Sequence, residues 1–208
     1  RIEKIIKILN RRYKIKPWKE KPFKILISTI LSQRTKDEIT RKTSEQLLSK
    51  ADTPEKILKL SEKEIEKLIY PVGFYRQKAK KIKRLCRILL KNYGGKVPDN
   101  REELLKLPGV GFKTADVVLS SHGLLVIAID THCKVIAKRL GLTKSDDAER
   151  IREDLHRIVP KKYRRIINLL FVEFGKEICQ TRLPRCYICP IVSLCSYEPK
   201  TCRKLPLK

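Results

Sequence analysis

Methionine is absent from the 208 residues, tryptophan occurs once, at Trp18, and histidine only three times. Without a methionine in first position, Arg1 is not expected to be the translated start. No stretch of eighteen apolar residues occurs, so no membrane-spanning helix is expected, and nothing ahead of the first helical segment reads as a signal peptide. The single tryptophan also argues against a membrane-surface role, which calls for bulky apolar anchors along a basic helix. Low-complexity tracts are missing, and 41% of the residues are apolar, as in a packed protein. Acidic residues are in deficit: 23 Asp and Glu against 49 Lys and Arg leave a formal charge of +26. An excess of that size is unusual for an enzyme of small neutral substrates and points to nucleic acid. The plainer account is a solvated, ion-paired surface, with runs such as Ser61-Glu62-Lys63-Glu64 in its favour. Abundant Lys, Ile and Glu with little Asn and Gln lean towards a thermophilic source.

Val/Thr alternation is almost missing, whereas apolar residues recur at spacings of three and four, so the chain is expected to be all-α. Ile2, Ile5, Ile6 and Leu9 mark a first amphipathic helix over 1–13, broken near Pro17. Phe23 to Leu31 is strongly apolar and stops at Ser32-Gln33-Arg34-Thr35; a helix near Asp37 to Leu48 follows. Thr53-Pro54 starts another, with Thr as N-cap and Pro at the first helical position. Ser61 with Glu64 forms a capping box. A long basic helix over about Gln77 to Asn92 ends at Gly94-Gly95, and Asp99 with Asn100 caps a short helix over 101–106. Further helices are expected from Lys113 to about Ser120, from Asp130 through Leu140, and over 146–158 and 161–177.

Two motifs carry chemistry. In Leu107-Pro108-Gly109-Val110-Gly111, two glycines precede a helix, letting backbone N–H groups approach an anion such as a phosphate. The pattern alone is weak, because Gly-x-Gly also ends helices for structural reasons. Lys113 follows at the helix start, where an amine close to other positive groups can act as a neutral nucleophile towards a sugar carbon. Asp130, at the start of its own helix, stays ionised and could stabilise a cationic sugar or move protons. Singly, each is more simply a solvated lysine and a capping aspartate.

The second motif is C-x6-C-x2-C-x5-C, formed by Cys179, Cys186, Cys189 and Cys195. Four thiolates suit zinc or an iron–sulfur cluster. Only Cys186 and Cys189 make a close pair, and the unequal flanks favour a cubane cluster over a paired-knuckle zinc site. Arg182 and Arg185 lie within the loop and could face DNA. Cys86 and Cys133 fit apolar helix faces as core thiols, and Cys202 stands outside the pattern. Clustering and an odd total of seven cysteines argue against a disulfide framework, so an intracellular compartment is expected.

With the turn, Lys113, Ile129-Asp130-Thr131-His132 and the cysteine loop in this order, the chain resembles the endonuclease III family of helix-hairpin-helix DNA glycosylases, from about Phe23 to Cys195. Gly73-Phe74-Tyr75-Arg76-Gln77-Lys78-Ala79 and Leu31-Ser32-Gln33-Arg34-Thr35 resemble that family's DNA-touching segments. The resemblance implies a six-helix barrel lobe over 15–124 and a cluster lobe joining 1–14 to 125–208, with a [4Fe-4S] cofactor on the four cysteines. It implies excision of oxidised or saturated pyrimidines from flipped nucleotides in duplex DNA, by a monomer in the cytoplasm or at the nucleoid. Lys113 would form a Schiff base at C1′ and cleave 3′ to the abasic site by β-elimination, with Asp130 assisting. Gln33 would fill the gap left by the base, Phe74 would wedge into the stack, Gly109 and Gly111 would hold phosphate through backbone N–H groups, and Leu107 and Val110 of the same hairpin would also contact DNA. The chain departs from the family pattern at Lys36, at Leu183 and in a Lys113 to Asp130 interval one residue shorter.

Other readings differ by testable features. Adenine glycosylases and mismatch-specific thymine glycosylases of the same superfamily usually lack the hairpin lysine, and this chain has no acid between Ile25 and Lys36. A non-catalytic DNA-binding module would have no need for Lys113 together with Asp130. An electron-transfer protein built on the cluster would leave the basic hairpin unexplained.

Overall fold

The computed structural model describes residues 1–17 and 19–201; Trp18 and Cys202 lie outside the described residues. The described chain is helical, without strands. In order, the α-helices are α1 (Ile2–Tyr13), α2 (Pro22–Ser32), α3 (Asp37–Lys50), α4 (Pro54–Lys59), α5 (Glu62–Ile69), α6 (Tyr75–Tyr93), α7 (Arg101–Leu105), α8 (Phe112–Ser121), α9 (Thr131–Arg139), α10 (Ala148–Ile158) and α11 (Arg164–Glu177). The chain forms two compact units: Arg1–Trp18 with Leu125–Lys208, here the terminal unit, and Lys19–Leu124, the inserted unit.

Local chemistry sets most helix ends. The Thr53 side chain accepts from Lys56 N–H ahead of Pro54, and Ser61 and Glu64 form both halves of the capping box. Asn100 alone caps α7, accepting from Glu103 N–H. Gly94 and Gly95 end α6 with φ of 57° and 78°, and the Gly95 N–H closes on Leu89 O at 3.0 Å. α1 stops at Tyr13, where it is expected to, but the stop is made by Lys14, whose φ is 50° and whose N–H turns back to Asn10 O, rather than by Pro17. Asn10 Oδ1 then accepts from Ile15 N–H at 2.9 Å, and Ile15 packs on the core of the terminal unit.

In the inserted unit α2 is buried: Leu26, Ile27, Ile30 and Leu31 are at most 1% exposed, and Leu47, Ile65, Ile82 and Val118 of the same unit are fully buried as well. The terminal unit is cored by Ile5, Ile6 and Leu9 of α1, Ile136 and Ala137 of α9, Ile151 and Leu155 of α10, and Leu170, Phe171 and Phe174 of α11. Each such side chain contributes about 1.5–3 kcal/mol by leaving water, enough to fix the helices that carry the polar groups below. Cys86 and Cys133 are fully buried, and burial pushes the Cys86 thiol up to about 12.

Candidate nucleic-acid interface and cysteine centre

The glycine turn joins α7 to α8. Gly109 has φ of 85°, a left-handed conformation that requires glycine, while Gly111 is extended and has open space where a Cβ would be. Gly111 has no side chain with which to cap α8, so the first-turn N–H groups are aimed outward at the helix's positive end. Leu107 and Val110 are 2% and 8% exposed; their side chains belong to the core, and only their main chain can meet a ligand. Lys113, the second residue of α8, is exposed, and among the described residues it forms no ion pair.

Sequence reasoning missed what pins this hairpin. Asp116 on α8 is 2% exposed in its side chain and pairs with Arg101 of α7 at 3.1 Å; the Arg101 guanidinium also lies 4.8 Å from the ring centroid of Phe112. Breaking such a buried pair by removing one partner typically costs about 3–5 kcal/mol. An Arg and an Asp fifteen positions apart give no local signal, since helical pairing extends only to the third and fourth neighbour.

Gln33 and Phe74 belong to the same unit. Gln33 follows α2, and its Nε2 donates to Gly109 O at 2.9 Å and lies 3.5 Å from Thr114 Oγ1, so its side chain reaches the hairpin. Phe74 precedes α6 with φ of 58° and is 54% exposed, its ring centroid 5.6 Å from the Arg34 guanidinium. Gly73 is obligatory for a different reason: a Cβ there would sit 2.6 Å from Arg34 O.

Asp130 lies in the terminal unit as the N-cap of α9, its Oδ1 accepting from Cys133 N–H at 2.8 Å. Side chains hold the strand-like approach to it: His156 Nε2 accepts from Ile127 N–H at 3.0 Å, and Asn168 Nδ2 donates to Ala128 O at 3.0 Å. His132, two residues on, packs on Gly175 of α11, where an added Cβ would lie 2.4 Å from its Nδ1.

Cys179, Cys186, Cys189 and Cys195 line one cavity, together with Leu140, Phe174, Ile178, Ile191 and Arg139. Among the described residues, no three His, Cys, Asp or Glu side chains are gathered tightly enough to hold a single metal ion. Arg139, at the end of α9, frames the cavity: its guanidinium donates to Cys179 O and Sγ at 3.3 and 3.4 Å, Gln180 O at 2.8 Å and Thr181 O at 2.7 Å. Burial raises the Cys179 thiol, opposed by Arg139, and burial takes Cys189 to about 11. Burial thus favours the protonated thiol at Cys179 and Cys189, and thiolate ligation there would release those protons. Arg182 and Arg185 are exposed on the same loop, beside Leu183 at 57% exposure.

The family model described as the HhH-GPD superfamily base excision DNA repair protein matches residues 27–161. Endonuclease III of Thermotoga maritima is 41% identical, covering 94% of this chain and 92% of that protein. A solved trapped endonuclease III–DNA covalent intermediate superposes with a TM-score of 0.84 at 35% identity, covering 94% of each chain. A thermostable thymine-DNA glycosylase superposes equally well, TM-score 0.84, at 31% identity over 94% of each chain. A helical fold, a glycine hairpin carrying an exposed lysine, and kinship over nearly its whole length establish that this chain belongs to the HhH-GPD superfamily of base excision DNA repair proteins, within the endonuclease III family of DNA glycosylases and AP lyases.

Proposed function

We propose that this enzyme excises oxidised or saturated pyrimidines from duplex DNA and then cleaves the strand through a Lys113 Schiff base. The single observation that carries the reading is the exposed Lys113 on the first turn of α8, directly after the Gly109–Gly111 turn. Outward N–H groups hold a phosphate there, with Gly109 and Gly111 allowing close approach. The target nucleotide must leave the stack, because its C1′ is shielded in the duplex. Gln33 fills the vacated space and Phe74 wedges between neighbouring bases, as apolar side chains do at kinked steps.

The Lys113 amine attacks C1′ and its proton passes to the base as the C1′–N bond breaks; the C1′–O4′ bond then opens, O4′ taking up a proton, to leave an iminium. Loss of a C2′ proton then breaks the C3′–O bond, expelling the 3′ phosphate, and water returns Lys113 as the free amine. Asp130 stabilises positive charge on the sugar or takes up a proton; its Oδ1 is engaged with Cys133, which leaves Oδ2 for this role. Under this reading the inserted unit, expected over 15–124 and found as Lys19–Leu124, is the barrel lobe, the terminal unit, expected over 1–14 with 125–208, is the cluster lobe, and the enzyme acts as a monomer where the genome lies.

Cys179, Cys186, Cys189 and Cys195 are the residues that would hold a [4Fe-4S] cluster. Four thiols spread around a cavity suit a polynuclear group better than one tetrahedral ion. When bound, the cluster would supply structural cross-linking and one-electron redox capacity. Arg139 would orient Cys179, and Arg182 and Arg185 would present cations to DNA.

Similarity to a thymine-DNA glycosylase supports a second reading, a monofunctional mismatch enzyme. Borohydride trapping on duplexes carrying thymine glycol or an abasic site separates the two. The lyase reading expects a covalent protein–DNA adduct with wild type and none with Lys113→Gln. Tight binding without any adduct would favour the monofunctional enzyme.

A further inference from the structure

Lys78 sits in the first turn of α6 with only 5% of its surface exposed, and among the described residues no carboxylate pairs with it. A cation at the positive end of its own helix, taken out of water, is unfavourable on both counts. Burial lowers its pKa to about 8, with Lys81 adding to the effect, so the amine is protonated at neutral pH. Its three N–H donors meet three acceptors: Leu31 O at 2.9 Å, Gln33 O at 2.5 Å and Thr35 Oγ1 at 3.3 Å. Leu31 O belongs to the last turn of α2, where carbonyls lack helical partners and the dipole favours a cation.

Between the two anchored residues stands Arg34, whose φ of 52° is left-handed and costly for a residue other than glycine. Phe74, which its guanidinium covers, is also left-handed. The two segments are joined again where Gly73 N–H donates to Thr35 Oγ1 at 3.2 Å, and by the close approach of Gly73 to Arg34 O. Strained residues persist only where their surroundings over-determine them, and here the surroundings converge on one ammonium group.

We infer that Lys78 is a positioning residue: it locks the 33–35 turn to α6, so that Gln33 and Phe74 are presented to DNA as one preformed device. This rests on the reading above in which Gln33 occupies the space of the flipped base. Lys78 touches no substrate itself and acts through Gln33.

The test combines amide hydrogen exchange of residues 31–36 with single-turnover excision from a thymine glycol duplex, in wild type, Lys78→Met, Gln33→Ala and the double variant. We expect Lys78→Met to exchange at least ~10-fold faster in this segment alone and to slow excision by ~10–100-fold, the loss appropriate to charged hydrogen bonds. Added to Gln33→Ala, it should slow excision little further, because residues acting as a unit are not additive. Unchanged exchange in Lys78→Met, or losses that multiply in the double variant, would overturn the inference. Should Lys78→Met fail to fold, Thr35→Val removes one acceptor and leaves the lysine; it must show the same coupling to Gln33 at ~3-fold amplitude, and independence would overturn the inference. A wild type that excises no base would remove the functional reading alone, with the exchange measurement still deciding for or against Lys78.

Discussion

Asp130 shows how one side chain can be both scaffold and reagent. It caps α9 through Cys133 N–H, so the bland reading of a capping aspartate describes a real contact, and any catalytic role comes on top of it. Substitution separates the two. Asn caps as well as Asp, so Asp130→Asn should change unfolding free energy by less than ~0.5 kcal/mol, whereas Asp130→Ala should lose about 1 kcal/mol. Both should slow excision by roughly 10²-fold or more if the carboxylate moves a proton or stabilises charge. Urea unfolding beside single-turnover kinetics checks this, and an Asp130→Asn protein with wild-type rate would leave only the cap. Gly109 shows the converse case: the motif marked it as a turn glycine, and the structure gives it a left-handed φ that glycine adopts without steric cost.

At the scale of elements, contacts between helices decide what each helix presents. The α9–α11 packing depends on Gly175, where His132 occupies the space a Cβ would need. Gly175→Ala should therefore destabilise the fold by ~1–3 kcal/mol, and His132→Ala in the same chain should recover much of that loss, as overpacking at one contact predicts. Thermal unfolding of the single and double variants reads it; strict additivity would mean that the helices separate by some other route. The α1–α11 contact is polar as well as apolar. Arg12 and Tyr13 both donate to Glu177, Tyr13 at 2.7 Å, and these hydrogen bonds hold the Glu177 carboxyl down at about 2. A carboxylate held below its unfolded value stabilises the fold above about pH 4.5, and the contribution is lost as pH falls from there towards 2. Glu177→Gln should flatten that part of the stability profile, measurable as urea midpoints between pH 5 and pH 2.

For the whole molecule, charge is the governing quantity. A net +26 implies that binding releases many counterions, so affinity for duplex DNA should fall by about 10³-fold or more between 50 and 200 mM salt if six to ten phosphates are contacted. Fluorescence anisotropy across a salt series measures the slope, and a nearly flat line would mean that the positive surface is spent on internal ion pairs. Several are indeed paired, such as Lys134 and Lys138 on Asp146, but others, Lys113 among them, form no ion pair among the described residues.

Helix content, the capping box at Ser61, the stop at Gly94 and the gathering of four cysteines were legible in the chain, because periodicity, caps and close ligand spacing act between residues a few positions apart. Lys113 and Asp130 were legible as motifs, yet the sequence alone did not show that one stands exposed on a helix end while the other already serves as a cap. Tertiary structure alone decided the rest. Lys78, the Arg101–Asp116 pair, the His132–Gly175 contact and Arg139 at the cysteine cavity each join segments separated by fifteen to more than forty residues. Sequence spacing carries no record of which distant partner completes a buried charge or fills the room left by a missing side chain; only the packed helices supply it.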